Sequence, residues 1–231
     1  MSQIQQDLPM QQSNQSTDIA QQGATQGGAG GQSAPMAPVG QVFPTRNYLP
    51  QNVRETSISA LVQCLADMTT INMQLKTAHW NVKGPEFYQL HELFEDIVGV
   101  FDEYIDMVAE RASALGGRPP GTVHEVAGTT TVAPFPNDTV EGMALVSELA
   151  DRMATLDANL GQQIATADQQ GDPDTADLLN EVSREVSKSL WFLEAHLQRA
   201  PSGASAGQGG QFSGISTTDF RPSPDSQGAT R

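Results

Sequence analysis

The chain is short of the residues that would commit it to many common roles. A single cysteine, Cys64, stands among 231 residues, which excludes an intrachain disulfide and fits a reducing cytoplasm. No apolar run approaches the length of about 18 residues that a membrane span requires, and no charged start precedes an apolar segment at the N-terminus. Neither a membrane span nor a secretory signal is therefore expected. Basic residues are scarce as well, with 12 Lys+Arg against 27 Asp+Glu and a net charge of −15. No Lys or Arg precedes Arg46, and in the C-terminal stretch Arg221 and Arg231 are balanced by Asp219 and Asp225. Contact with nucleic-acid phosphates needs such charges, roughly one released counterion per contact. Direct DNA binding is therefore not expected.

Residues 1–45 are rich in Gln, Gly and Ser and carry Pro35, Pro38 and Pro44. Such a composition cannot bury a core, so this segment is expected to be a disordered tail. Residues 200–231 repeat the pattern and carry the same expectation. Between them, residues 46–199 form one domain in which the apolar spacing predicts four main helices. The first runs from about Val53 to Asn81, with Leu61, Cys64, Leu65, Met68, Ile71 and Leu75 on one side. Gly84-Pro85 breaks it, and the second covers about 86–115. Residues 116–138, rich in Gly, Pro and Thr, form a long crossover with room for a short helix. The third spans about 139–168 from an Asp138/Thr139 cap with Glu141 behind it. The fourth spans about 173–199, with Pro173 in its first turn after Asp172. This is an all-α bundle with a long crossover between helices 2 and 3.

The richest stretch lies between His79 and Arg111. His91 and Glu95 stand four apart, and so do Asp106 and Glu110, so each pair shares a helix face and can grip one ion side by side. Carboxylate oxygen mixed with imidazole suits iron, manganese or zinc. At about 100° per residue all four positions fall within roughly 100° of one another and form one stripe. Glu95 and Asp106 are nonetheless about 16 Å apart along the axis, whereas ligands on opposite sides of one ion are only about 4–5 Å apart. A single helix cannot close the site. An antiparallel copy brought in by a two-fold axis would set His91/Glu95 of one chain against Asp106/Glu110 of the other. The plainer alternative is a solvated acidic face with a structural histidine. Against it, Leu90, Phe94, Ile97, Val98, Phe101 and Val108 flank the stripe, and Lys83 is the only basic residue from His79 up to Arg111. Buried carboxylates so placed need a partner, and a metal supplies one.

These residues resemble a known family. The run His79-Trp80-Asn81-Val82-Lys83-Gly84, then Leu90-His91 and Glu95, is similar to the first signature of the Dps proteins, the mini-ferritins. Ile105-Asp106, Ala109-Glu110-Arg111, Leu115-Gly116 and Pro119 resemble the second, and 171–179 with 190–197 resembles the family's last helix. The likeness covers roughly residues 46–199. It implies a ferritin-like four-helix bundle that assembles as a hollow homo-dodecamer, oxidises Fe(II) with hydrogen peroxide or oxygen, and stores the ferric mineral. By the same resemblance His79, His91 and Glu95 come from one chain and Asp106 and Glu110 from its two-fold partner. Many relatives carry Asp at the Glu95 position. Trp80 matches a tryptophan beside the centre, though packing alone would also explain an aromatic there.

The rest of the reading follows from that implication. Two Fe(II) supply the two electrons that peroxide takes up, which suppresses hydroxyl radical release; Zn or Mn would compete for the ligands. Glu92 and Asp96 are candidate nucleation ligands, or ordinary surface acids. Asp172, Asp174 and Asp177 are candidate residues of a threefold pore, or helix-start acids favoured by the macrodipole. Residues 46–199 hold 23 acidic and 10 basic residues, a net −13; twelve copies would repel one another unless cations enter, and acidic funnels speed that entry. His124 and His196 are expected to be structural, with His124-Glu125 a place for a stray ion. Two functions stay open: a ferroxidase and iron-storage cage of the cytoplasm, protecting against oxidative stress, or a non-catalytic nucleoid-associated scaffold working through its tails.

Overall fold

The computed structural model describes residues 40–198. The expectations for residues 1–39 and 199–231 lie outside them. Five helices make up the described part: α1 Gln51–Asn81, α2 Phe87–Ala114, α3 Val123–Thr129, α4 Gly142–Gln170 and α5 Pro173–Leu197. Among the described residues no helix is long and apolar enough to cross a membrane.

The four long helices pair antiparallel. Arg54 near the start of α1 donates to the carbonyl of Leu115 just past α2 (2.8 Å), while His79 near the end of α1 meets His91 near the start of α2. The α1–α2 turn hinges on Gly84, whose φ of 120° excludes other residues without strain. α4 and α5 pair through the tight turn at Gly171 (φ 81°), and Ser187 donates to Asp157 across them (2.7 Å). α1 also packs on α4, and α2 on α5, which closes the bundle. Its core is the apolar stripe of each helix: Leu61 and Ile71, Phe94 and Phe101, Leu149 and Met153, Leu179 and Val186 are all sealed from solvent. Burying each such side chain contributes about 1.5–3 kcal/mol. Cys64 belongs to this core, and burial pushes its thiol well above the ordinary range.

α2 ends at one end of the bundle and α4 begins at the other, so the connection must run its full length. It climbs along α1 on three buried polar side chains. Gln63 donates to the Thr129 carbonyl (3.2 Å), Asp67 accepts from the Thr131 amide (2.7 Å) and the Thr130 hydroxyl (2.9 Å), and Gln74 donates to the Ala133 carbonyl (2.9 Å). Within the crossover, α3 opens on a capping box between Thr122 and Glu125. Arg118 and Thr122 pull the Glu125 carboxyl down to about 2. Glu125, beside His124, also pairs with Arg118 at 2.7 Å on the surface of the crossover.

Two boundaries also differ from the expectation. The cap of α4 is Glu141, whose carboxylate accepts from the amides of Met143 and Ala144, not Asp138 or Thr139. The Lys83 amide takes the Val140 carbonyl (2.8 Å) and holds that residue outside the helix. At the other end of the domain, Val42 packs on the core and the Phe43 amide donates to Gly116 (2.7 Å), ahead of position 46. Gly116 has φ 94°, and a Cβ there would sit 2.5 Å from the Phe43 carbonyl.

Candidate metal centre

The last turns of α1 and the first turns of α2 bring His79, His91 and Glu95 together. The His79 and His91 rings stack with centroids 3.8 Å apart and 18° between planes. Their backbone contacts are reciprocal: His79 Nδ1 lies 2.9 Å from the His91 carbonyl, and His91 Nδ1 lies 3.0 Å from the His79 carbonyl. A carbonyl only accepts, so each Nδ1 must carry the proton. In the neutral rings each Nε2 then keeps a bare lone pair, the state a metal requires. Phe87 packs on the outer face of His91, centroids 5.3 Å apart.

Glu95 stands one α-helical turn beyond His91. Its Oε2 lies 3.6 Å from His79 Nε2 and 2.7 Å from Lys76 Nζ. Neighbouring ligands at about 2.1 Å from one ion stand about 3.0–3.4 Å apart, so His79 and Glu95 need only a small adjustment to share one. The hydrogen bond from Lys76 is the main influence that lowers the Glu95 carboxyl, with the charges of Lys76 and the two histidines assisting. This imidazole and carboxylate set fits a divalent first-row ion such as iron.

The other carboxylates lie farther along α2. Asp106 and Glu110 are exposed. Asp106 borders a groove of about 370 Å³ that is also lined by Leu65, Thr69 and Pro119. Among the described residues of one chain, no three His, Cys, Asp or Glu side chains converge on a point that would hold an ion. The burial expected for these carboxylates is corrected too, because Glu95 is 49% exposed. α2 turns Leu90, Phe94, Ile97, Phe101 and Val108 into the bundle and leaves its acids on the flank. Trp80, 70% exposed, is not a core aromatic of this chain. Glu92 and Asp96 are exposed, and Asp96 edges a groove shared with Lys188 and Phe192 of α5.

The three acids at the start of α5 separate. Asp174 and Asp177 face solvent, but Asp172 is fully buried and is corrected from pore candidate to structural residue. It accepts from the Thr175 amide and hydroxyl (3.1 and 2.6 Å) and pairs with Arg111 Nη2 at 2.7 Å. Burial pushes this carboxyl up, yet Ser57, Thr175 and Arg111 more than offset that and hold it below its ordinary range. Arg111 thus bolts α2 to the start of α5. The sequence reading missed this role, and it missed Lys76. Lys76 lies outside the segment from His79 to Arg111 but three residues before His79 on the same face of α1, and that spacing was the available signal.

Comparisons with known proteins agree with this architecture. Residues 58–202 match the ferritin-like domain. The DNA protection during starvation protein of Agrobacterium fabrum is 38% identical over 154 residues, covering 67% of this chain and 95% of that protein. General stress protein 20U of Bacillus subtilis is 35% identical, covering 62% of this chain and 98% of the relative. Among solved structures, DpsC from Streptomyces coelicolor superposes with a TM-score of 0.67 at 34% identity, over 69% of this chain and 94% of that one. A Dps protein from Vibrio cholerae, described as a ferritin-like diiron-carboxylate protein, gives 0.64 at 27% identity, over 68% and 100%. The bundle, its crossover and these matches together show that the chain belongs to the Dps family of ferritin-like proteins.

Proposed function

We propose that the protein is a ferroxidase and iron-storage cage. Family membership supports iron storage and stress protection in general; the chemistry below is the finer reading. His79, His91 and Glu95 of one chain and Asp106 and Glu110 of an antiparallel two-fold partner bind substrate Fe(II). The observation that carries this reading is the reciprocal pair of Nδ1–carbonyl contacts, which leaves two stacked imidazoles with Nε2 bare. Twelve copies would give the closed shell in which the product collects.

Two Fe(II) each give one electron to hydrogen peroxide, the O–O bond breaks, and with two protons two waters form and two Fe(III) remain. No single-electron step to peroxide is needed, so hydroxyl radical does not escape. The histidines hold and orient Fe(II); the carboxylates offset the growing positive charge. Exposed Glu92 and Asp96 are proposed to take hydrolysed Fe(III), and Asp174 and Asp177 to draw cations in. Zn or Mn would compete for the same ligands.

DNA is protected here by removing iron and peroxide, not by contact. The only basic residues of the tails are Arg221 and Arg231, too few for strong phosphate binding. The test is anaerobic loading with Fe(II), then peroxide, while ferric absorbance is recorded. Fast oxidation at about two Fe(II) per peroxide with a soluble product supports the cage. A rate no faster than buffer alone refutes it and favours a scaffold acting through the tails.

A further inference from the structure

We propose that Lys76 is a tethered competitor at this centre: its ammonium occupies the Glu95 oxygen that a divalent cation would take, and so sets the affinity for metal. The inference rests on the site reading above and adds a residue that the ligand set does not contain.

Three observations carry it. Lys76 Nζ and His79 Nε2 approach the same oxygen, Glu95 Oε2, at 2.7 and 3.6 Å. The ammonium and an ion held by His79 and Glu95 therefore claim one acceptor. Second, Lys76 is the right kind of group for exchange. Its side chain is 34% exposed, and a flexible four-carbon stem can carry the charge out to solvent while its methylenes stay on the helix. Third, Lys76 is singular among the described ion pairs: it is the fixed basic side chain joined to a proposed ligand, while Arg111, Arg118, Arg152 and Lys188 pair elsewhere.

An entering cation must break the Lys76–Glu95 bond and then tolerate, or expel, a positive charge a few ångströms away. Both terms oppose binding. Two like charges at such range repel appreciably even near water. The consequence is a centre that stays filled by its own ammonium when metal is scarce. It admits Fe(II) only as the concentration rises. Once oxidised product leaves, the ammonium returns to Glu95.

The experiment is calorimetric titration of the full-length protein with Zn(II), which is redox-inert, so the readout is binding and not turnover. Lys76→Met removes the charge and keeps the stem; Lys76→Arg keeps the charge; His79→Ala removes a ligand. Circular dichroism verifies that each variant is folded. Lys76→Met should bind Zn(II) about three- to tenfold more tightly, with Lys76→Arg close to the parent. A gain in affinity cannot come from a damaged fold. Unchanged or weaker binding in Lys76→Met, with binding lost in His79→Ala, overturns the competitor role and leaves the site standing. Binding unaltered in both Lys76→Met and His79→Ala overturns the site itself, and the competitor with it.

Discussion

Two ion pairs in this molecule have the same length and opposite meanings. Lys76–Glu95 and Arg111–Asp172 each close at 2.7 Å. Glu95 is half exposed, its partner is a flexible lysine, and the His79 Nε2 stands 3.6 Å from it. Asp172 is sealed from water, its partner is a forked guanidinium that also donates to Thr175, and it caps α5. The first pair can be exchanged because water stabilises either member alone. The second cannot, because removing one member strands the other in a poor dielectric. Distance does not tell an exchangeable pair from a bolt; burial does.

The largest effect should come from breaking the exchangeable region. His79→Ala combined with Asp106→Ala removes one ligand from each side of the proposed two-fold site. Fast iron oxidation should fall to the rate of buffer alone, while size-exclusion chromatography finds the assembly intact. Oxidation at the parent rate would refute the assigned ligands. The next effect belongs to the bolt. Asp172→Asn keeps an acceptor for the Thr175 amide but leaves the exposed Asp174, 3.7 Å away, as the carboxylate facing Arg111. Unfolding free energy should drop by about 2–3 kcal/mol, read by denaturant titration, with the oxidation rate per folded protein unchanged. A variant of full stability and lost activity would put Asp172 back among the functional acids.

The same contrast can be sharpened with pH. The folded-state value of Asp172 lies below its ordinary range. Its contribution is therefore fully present above the unfolded-state value and is lost as pH falls through the folded-state value. Acid unfolding of the parent should steepen in that window, and Asp172→Asn should unfold with a shallower dependence there. Parallel curves for the two proteins would mean that the buried pair contributes nothing to the acid limit.

What was legible in the sequence divides along the same line. The four long helices follow from apolar periodicity, since Phe94, Phe101, Leu149 and Leu179 stand where a 3.6-residue repeat puts them. The His91/Glu95 and Asp106/Glu110 stripe also follows from spacing within one helix. Contacts between helices do not. Lys76 reaches Glu95 across 19 residues and Arg111 reaches Asp172 across 61; the spacing of Lys76 and His79 on α1 hints at the first pair, and nothing local marks the second. The cap of α4 was misplaced for the same reason: Asp138 and Thr139 are good caps locally, but the Lys83 amide, remote in sequence, claims Val140. Burial of the stripe within one chain does not follow from the neighbouring apolar residues, because Leu90, Phe94, Phe101 and Val108 turn into the bundle while Glu95, Asp106 and Glu110 stay exposed.

The smallest effect is the one that separates the two pairs most cleanly. Lys76 lowers the Glu95 carboxyl through its hydrogen bond, so by sign alone this pair too should add stability above the ordinary carboxylate range and lose it in acid. Yet the carboxylate is open to solvent, and at moderate salt the attraction is screened within about 8–10 Å. Glu95→Gln should therefore unfold at the same denaturant midpoint as the parent, with an acid limb that superimposes on it, while Zn(II) affinity falls by at least about tenfold. A clear loss of stability in Glu95→Gln would make this ion pair part of the fold, and Lys76 would then be a clamp rather than a competitor.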